Sequence, residues 1–334
     1  MSYSSVSKRE GIIPLSELEA ALAGLKRDYS KLSARIRTLA HSVTCECDGL
    51  VLRLHFPAFR QGQATMQEMV DALAGYILHF SLPRSELDGL NSQYGLISAE
   101  DFLAAFEKLR EEAMRIFMTV QKKTHRNGEA GELLLYVLTE WILSAPQIIA
   151  KMSLKTNRDM PVYGADGVHA RFCGDTQRLL LYWGESKLHS RVSDAITDAL
   201  SSIVEALNPE KMQHEIDLVQ RNIEFAGLGP AARDAFLRYL DPYEESYNAR
   251  HDVTTCLVGF DFDGFSAITR ADSMTAEEKF SALAQDRLAD LAPQVARKLK
   301  DCGLAGHPVE LFFFPVPSVE RFREIFQDKI GWRR

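Results

Sequence analysis

Cysteine is scarce in this chain, and what there is has no pattern. The five thiols, at positions 45, 47, 173, 256 and 302, are odd in number and fit no four-ligand zinc spacing. Cys45 and Cys47 are separated by one residue, as alternating strand positions would be, which points to buried, inert thiols. Long apolar runs are missing as well. The longest, at 133–143, is interrupted by Thr139 and Glu140 and is too short to span a bilayer. The opening residues, MSYSSVSKREG, lack the apolar stretch of a secretory leader, so cytoplasmic residence is the default expectation. No GxxxxGK[ST] is present, which argues against an ATP motor in this chain, and the glycines at 128 and 131 are too loosely set for a phosphate loop. Asp261 and Asp263 lack the further oxygen ligands of a calcium loop and read as a turn after a strand. There is no internal repeat and no low-complexity tract.

What is present is a composition of 46% hydrophobic and 25% charged residues over 334 positions, enough for a full core and for two ordinary domains. The net charge of -7 argues against a chain coated all round by nucleic acid. Residues 121–192 run against that balance, with ten Lys/Arg against seven Asp/Glu, and so form a basic patch of limited size in an acidic body.

Helical periodicity predicts a helix over 16–37, and alternation predicts a hairpin over 42–58 turning at Asp48-Gly49. Helices are expected over 65–79 and from Ser98, spaced from Asp101 as in an N-terminal cap, to about residue 119. This N-terminal part carries no catalytic cluster. The basic, polar stretch 119–128 is expected to connect it to the rest, giving a small α+β region over 1–120 and a second domain over 121–334. In the second part the pattern predicts an apolar helix at 129–143, a short helical stretch at 146–154, and strands at 162–173 and 178–187. A helix at 192–207 and further helices within 211–240 follow, then strands at 253–260 and 309–314 and helices at 275–302 and 318–328. Apolar strands interleaved with helices predict an α/β fold whose sheet is covered on both faces.

The chemistry concentrates in 128–192. Glu185 and Lys187 stand two apart in a strand-forming run, LLLYWGESK, and so share a face. If Asp175-Thr176 is the hairpin turn, Cys173 faces Arg178 and Asp166 faces Glu185. The same register puts Val168, Ala170, Phe172, Leu179, Leu181 and Trp183 on one apolar surface, and a slip of one residue would separate the two carboxylates. Gly164 and Gly167 flank Asp166 and permit a bend there. Glu132 lies near the start of an otherwise apolar helix, where a buried carboxylate must be neutral, paired or on a metal; it is the candidate third acidic group, with Glu129 as the alternative. An oxygen-rich set of this kind suits a hard divalent cation, Mg²⁺ first and Mn²⁺ as substitute, and histidines are too few nearby for zinc. Such a site can cut a phosphodiester, with Lys187 stabilising the charge that builds up on phosphorus. Lys122, Lys123, Arg126, Lys151, Lys155, Arg158 and Arg191 are candidates for a rim that grips a nucleic-acid backbone without reading bases. His169 and Arg171, on the other strand face, are expected only to pack or hydrogen-bond.

The strings GELLLYVLTEWIL, YGADGVHARF and LLLYWGESKLH resemble the PD-(D/E)xK superfamily of restriction-endonuclease-like nucleases and, more narrowly, the HamA family, the nuclease subunits of the Hachiman anti-phage defence system. The match is specific over about 128–192. The resemblance implies a restriction-endonuclease-like mixed sheet flanked by helices. It assigns Asp166, Glu185 and Lys187 to the acidic, acidic and lysine places of the motif, and Glu132 to the helix glutamate. The proline that names the motif is replaced by Ala165. The implied activity is that of a metal-dependent deoxyribonuclease held in complex with a helicase subunit, HamB, acting on DNA without a nucleotide cofactor of its own. An inert adaptor that binds the helicase or DNA through the same fold is the competing expectation, and an RNase a third.

Overall fold

The computed structural model describes residues 15–39, 43–44, 49–124, 128–155 and 164–331. The chain begins with α1 (Leu15–Gly24), β1 (Ile36–Thr38), β2 (Val43–Thr44) and β3 (Leu50–Pro57). A tight pair, β4 (Phe59–Arg60) and β5 (Gln63–Ala64), leads into α2 (Met66–Ala74), α3 (Ile77–Ser81), α4 (Arg84–Asn91) and the long α5 (Ala99–Thr124). Then come α6 (Glu129–Ile142), β6 (Gln147–Ile149), α7 (Lys151–Leu154), β7 (Gly167–Cys173) and β8 (Arg178–His189). The remainder is α8 (Val192–Ala206), α9 (Pro209–Asn222), α10 (Pro230–Arg238), β9 (Arg250–Asp261), α11 (Ala276–Asp301), β10 (Val309–Val316) and α12 (Val319–Lys329).

One mixed sheet organises these elements, in the order β1-β3-β10-β9-β8-β7-β6, with β2 pairing to β3. Strands β3, β10, β9 and β8 run parallel, while β7 and β6 turn back antiparallel on β8. Alternation along each strand splits the core between the two faces. Phe312 and Phe314 enter a cluster with α2, α5, α6 and α12, whereas Leu311 and Phe313 enter one with α8 and α11. A third cluster packs α1, α9 and α10 on β7 and β8. Both faces are therefore covered, as the apolar strand sequences require. Strand β3, from the part of the chain before residue 120, lies inside this sheet, and α2, α3 and α5 share a cluster with α6.

Two local expectations are corrected. The stretch 16–37 is not one helix: α1 stops at Gly24, the Asp28 carboxylate accepts from the Ser30 backbone N–H at 2.8 Å in a turn, and Ile36–Thr38 pairs with β3. A short-range hydrogen bond and a place on the sheet edge outweigh helical periodicity there. The stretch 146–154 begins as a strand rather than a helix, because residues 147–149 pair with β7 before α7 starts. Helix α5 also runs on through most of the expected connector, and residues 125–127 lie outside those described. The helices expected from 129 and 192 stand within a residue of their predicted limits, and the Ser98 hydroxyl accepts from the Asp101 N–H at 3.1 Å, as the cap spacing predicts. Cys45 and Cys47 fall outside the described residues.

Candidate active site

The β7–β8 hairpin has the register read from sequence, from Cys173 opposite Arg178 to Gly167 opposite Gly184. Val168, Ala170, Phe172, Leu179, Leu181 and Trp183 all enter the same buried cluster. Asp166 stands one residue before β7, and its N–H donates to the Gly184 carbonyl at 2.6 Å, carrying the pairing on to the acidic residue. Its carboxylate turns towards Ser186: Oδ2 accepts from the Ser186 N–H at 2.9 Å and from its hydroxyl at 3.2 Å. Beside it on β8, Glu185 Oε1 lies 2.6 Å from Lys187 Nζ. The Ser202 hydroxyl of α8 also donates to Glu185.

Two further elements close on this hairpin. Helix α6 lies close against β8: a Cβ on Gly131 would meet Leu188 Cγ at 3.0 Å. That closeness brings Glu132, in the first turn of α6, towards Asp166. Between the two carboxylates stands Lys155, just past the end of α7, with Nζ 2.6 Å from Glu132 Oε2 and 3.7 Å from Asp166 Oδ1. Glu129, the alternative helix acid, is buried and interacts with Arg323.

The electrostatics record crowded negative charge. Burial, and then Asp166, raise Glu132 to about 7. Burial and Asp166 raise Glu185 in the same order. Burial alone would lower Lys187, but Glu185 and Asp166 outweigh it and raise the group, so its ammonium keeps its proton. Lys155 is raised in the same way by Glu132 and Asp166. Carboxylates that repel one another while partly removed from water favour a cation between them. The donor set is all hard oxygen, which fits Mg²⁺ or Mn²⁺ better than zinc. Among the described residues, however, no three His, Cys, Asp or Glu side chains are gathered as a ready-made cage. Lys155 occupies the gap.

The expected rim is altered. Lys151 is 1% exposed, its ammonium bonded to both Glu215 oxygens at 2.8 and 2.7 Å, so it cannot grip a backbone from solvent; a lysine in a polar stretch reads as solvated, and only the fold reveals its buried partner. Lys155 points into the acidic cluster rather than out of it. Arg191 is exposed at the start of α8 and paired with Asp194. Lys122 and Lys123 lie in the last turn of α5, where side chains are not described, and Arg126 and Arg158 lie outside the described residues. His169 and Arg171 hydrogen-bond the carbonyls of Ala145 and Leu143, as expected of packing groups.

Sequence reasoning missed Ser186 and Glu215, and expected Lys155 on the rim rather than between Glu132 and Asp166. Alternation puts Ser186 on the face opposite Glu185 and Lys187, so nothing in the pattern joins it to Asp166. Glu215 comes from α9 and abuts Gly164: a Cβ there would stand 2.2 Å from Glu215 Oε1, and φ is +106°. The glycine before Asp166 is the price of that close approach.

A mixed, two-faced α/β sheet with a half-buried carboxylate–lysine cluster where β7, β8, α6 and α7 meet defines the class of protein. The family model named HamA matches residues 35–330, and the chain belongs to that family, a component of the Hachiman anti-phage defence system. No curated protein matches the chain. Among the described residues no helix is long and apolar enough to cross a membrane.

Proposed function

We propose that the chain is a metal-dependent DNA endonuclease of low sequence specificity, the effector of a defence complex controlled by a helicase subunit, HamB. The observation that carries this reading is the meeting of Asp166, Glu185 and Glu132 with two ammonium groups, Glu132 and Glu185 being raised by burial and then by the neighbouring Asp166. Asp166, Glu185 and Glu132 would hold Mg²⁺ or Mn²⁺, which when bound offsets charge on the scissile phosphate and lowers the pKa of water. Ser186 fixes the Asp166 carboxylate so that Oδ1 faces the cluster. Lys187 keeps its proton and orients the attacking water while stabilising the pentacovalent transition state. Glu185 in turn holds the ammonium in place.

The test is cleavage of supercoiled and linear DNA by purified protein with Mg²⁺ or Mn²⁺, alone and with the helicase subunit and ATP. E185A and K187A should each abolish cleavage without loss of fold, and EDTA should stop it. Undiminished cleavage in both variants rejects the site. A second reading, an inert adaptor, is favoured by one feature: Lys155 already bridges Glu132 and Asp166 where a cation would sit. Absence of cleavage under every one of these conditions, with helicase binding retained, would establish it. RNA offered in competition distinguishes a ribonuclease.

A further inference from the structure

A cavity of about 230 Å³ is walled by α3, α4, β6 and α7, and none of the acidic-cluster residues lines it. That is below the about 300–1,000 Å³ of drug-sized sites, so it suits a small group. Its lining is rich in donors. Gln147 is 7% exposed, and its Nε2 has no hydrogen-bond partner among the described residues. The same holds for the buried Nε of Arg84 and Nδ1 of His79. Two donors and an imidazole nitrogen without a partner thus belong to residues of three elements that line one small space. Unpaired polar atoms out of reach of water are costly and rare, and call for an explanation.

Charge points the same way. Arg27, also lining the cavity, is bonded to Tyr136 and Glu140, and Glu140 further accepts from Tyr29 and the Gln147 N–H. Arg84 forms no ion pair within 4.0 Å among the described residues. Burial first and then Arg27 lower it, against the opposing effect of Glu140, Tyr136 and Asp88, and burial, then Arg27 and Arg84, push His79 down to about 3. The N-terminus of α4 opens on the same space. Arg84, Ser85 and Glu86 line the cavity, and no side chain caps the helix. An uncapped helix start presents N–H groups and a partial positive charge to an anion. Glu86 is the acidic side chain in this lining, and it is exposed at the rim.

We propose that this cavity binds a phosphate-class oxyanion, held by Arg84, Gln147, His79 and the start of α4. A tetrahedral anion offers acceptors in several directions at once, which suits a space lined by a guanidinium, an amide, an imidazole and a helix end. The group is either free phosphate or the terminal phosphate of a nucleotide whose remainder projects past Glu86. The site is separate from the acidic cluster and does not depend on catalysis there.

The experiment is calorimetric titration of the full chain with inorganic phosphate, deoxyadenosine 5′-monophosphate and acetate. It is repeated on R84Q, Q147M and D166N, each checked for native melting. Saturable binding of phosphate or the nucleotide is expected, unchanged in D166N and weakened roughly ten- to hundredfold in R84Q by loss of a charge-assisted hydrogen bond. Q147M, which removes a donor without a charge, should weaken it several-fold and keeps the test decisive if R84Q fails to fold. Equal affinities for phosphate and nucleotide identify a free anion, and tighter nucleotide binding identifies the terminal phosphate. The proposal is overturned if neither probe binds saturably, if acetate binds as well as phosphate, or if affinity is the same in every folded variant.

Discussion

Replacing Lys151 by Met should be among the most damaging single changes outside the acidic cluster. The Lys151 and Glu215 side chains are 0% and 5% exposed, and the ammonium touches both carboxylate oxygens. Removing one member leaves the other charged and buried, which costs about 3–5 kcal/mol. An unfolding entropy of about 2.1 cal/mol/K per residue gives roughly 0.7 kcal/mol/K for the 334-residue chain. The variant should therefore melt about 4–7 °C lower. The double variant K151M/E215L removes both charges, and should recover most or all of the loss, because well-packed apolar pairs match or exceed buried ion pairs. Differential scanning calorimetry of wild type, both single variants and the double variant reads this directly. A K151M protein melting within about 1 °C of wild type, or a double variant no better than either single one, would refute the reasoning.

Other outcomes follow from the same geometry. K155M should tighten Mg²⁺ binding at least tenfold by calorimetry, since it removes a competing ammonium from Glu132 and Asp166; unchanged or weaker binding defeats that account. S186A, which removes the hydroxyl but keeps the backbone donor to Asp166, should slow single-turnover DNA cleavage roughly five- to thirtyfold, the rate equivalent of about 1–2 kcal/mol; full activity would show that the backbone bond suffices. His55 is fully buried and pushed down to about 3, by burial and then by Arg53. Its depressed value means that below the ordinary histidine pKa of about 6.5 the unfolded chain takes a proton the fold refuses, so its contribution is present above that pH and is lost as pH falls towards 3, at up to about 1.4 kcal/mol per unit. Melting followed from pH 7 to 5 should fall less steeply in H55Q than in wild type, and parallel curves would remove His55 as the cause.

The sheet and the hairpin were legible because two signals agreed. Alternation in VHARF and LLLYW fixes which residues face inward, and a one-residue slip would have exposed that whole apolar set. Strong, capped or apolar helices such as α5, α6 and α8 were legible for the same reason. What was not legible depends on distant partners. The strand at Ile36–Thr38 exists because β3 accepts it, and Gln147–Ile149 because β7 does. The burial of Lys151 depends on Glu215, 64 residues away. A single-sequence pattern carries local period and local capping, and it has no term for a carboxylate supplied by another helix.

Lys155 shows how that limit bears on the site itself. Counted by type, residues 128–192 offer acidic ligands inside and lysines around them, and the simplest arrangement places every lysine but Lys187 on a rim. The fold draws Lys155 in beside Glu132 and Asp166, where burial and then the Asp166 charge raise Glu132, and an ammonium on a four-carbon stem is the nearest charge able to offset that crowding. A divalent cation would relieve the same repulsion more strongly and at the same oxygens. On the proposed reading, Lys155 and a metal would compete for the same negative charge. Lys155 directly follows α7, and Lys151 ties that short helix to α9, so the position of the ammonium between Glu132 and Asp166 is set by an element anchored outside the cluster.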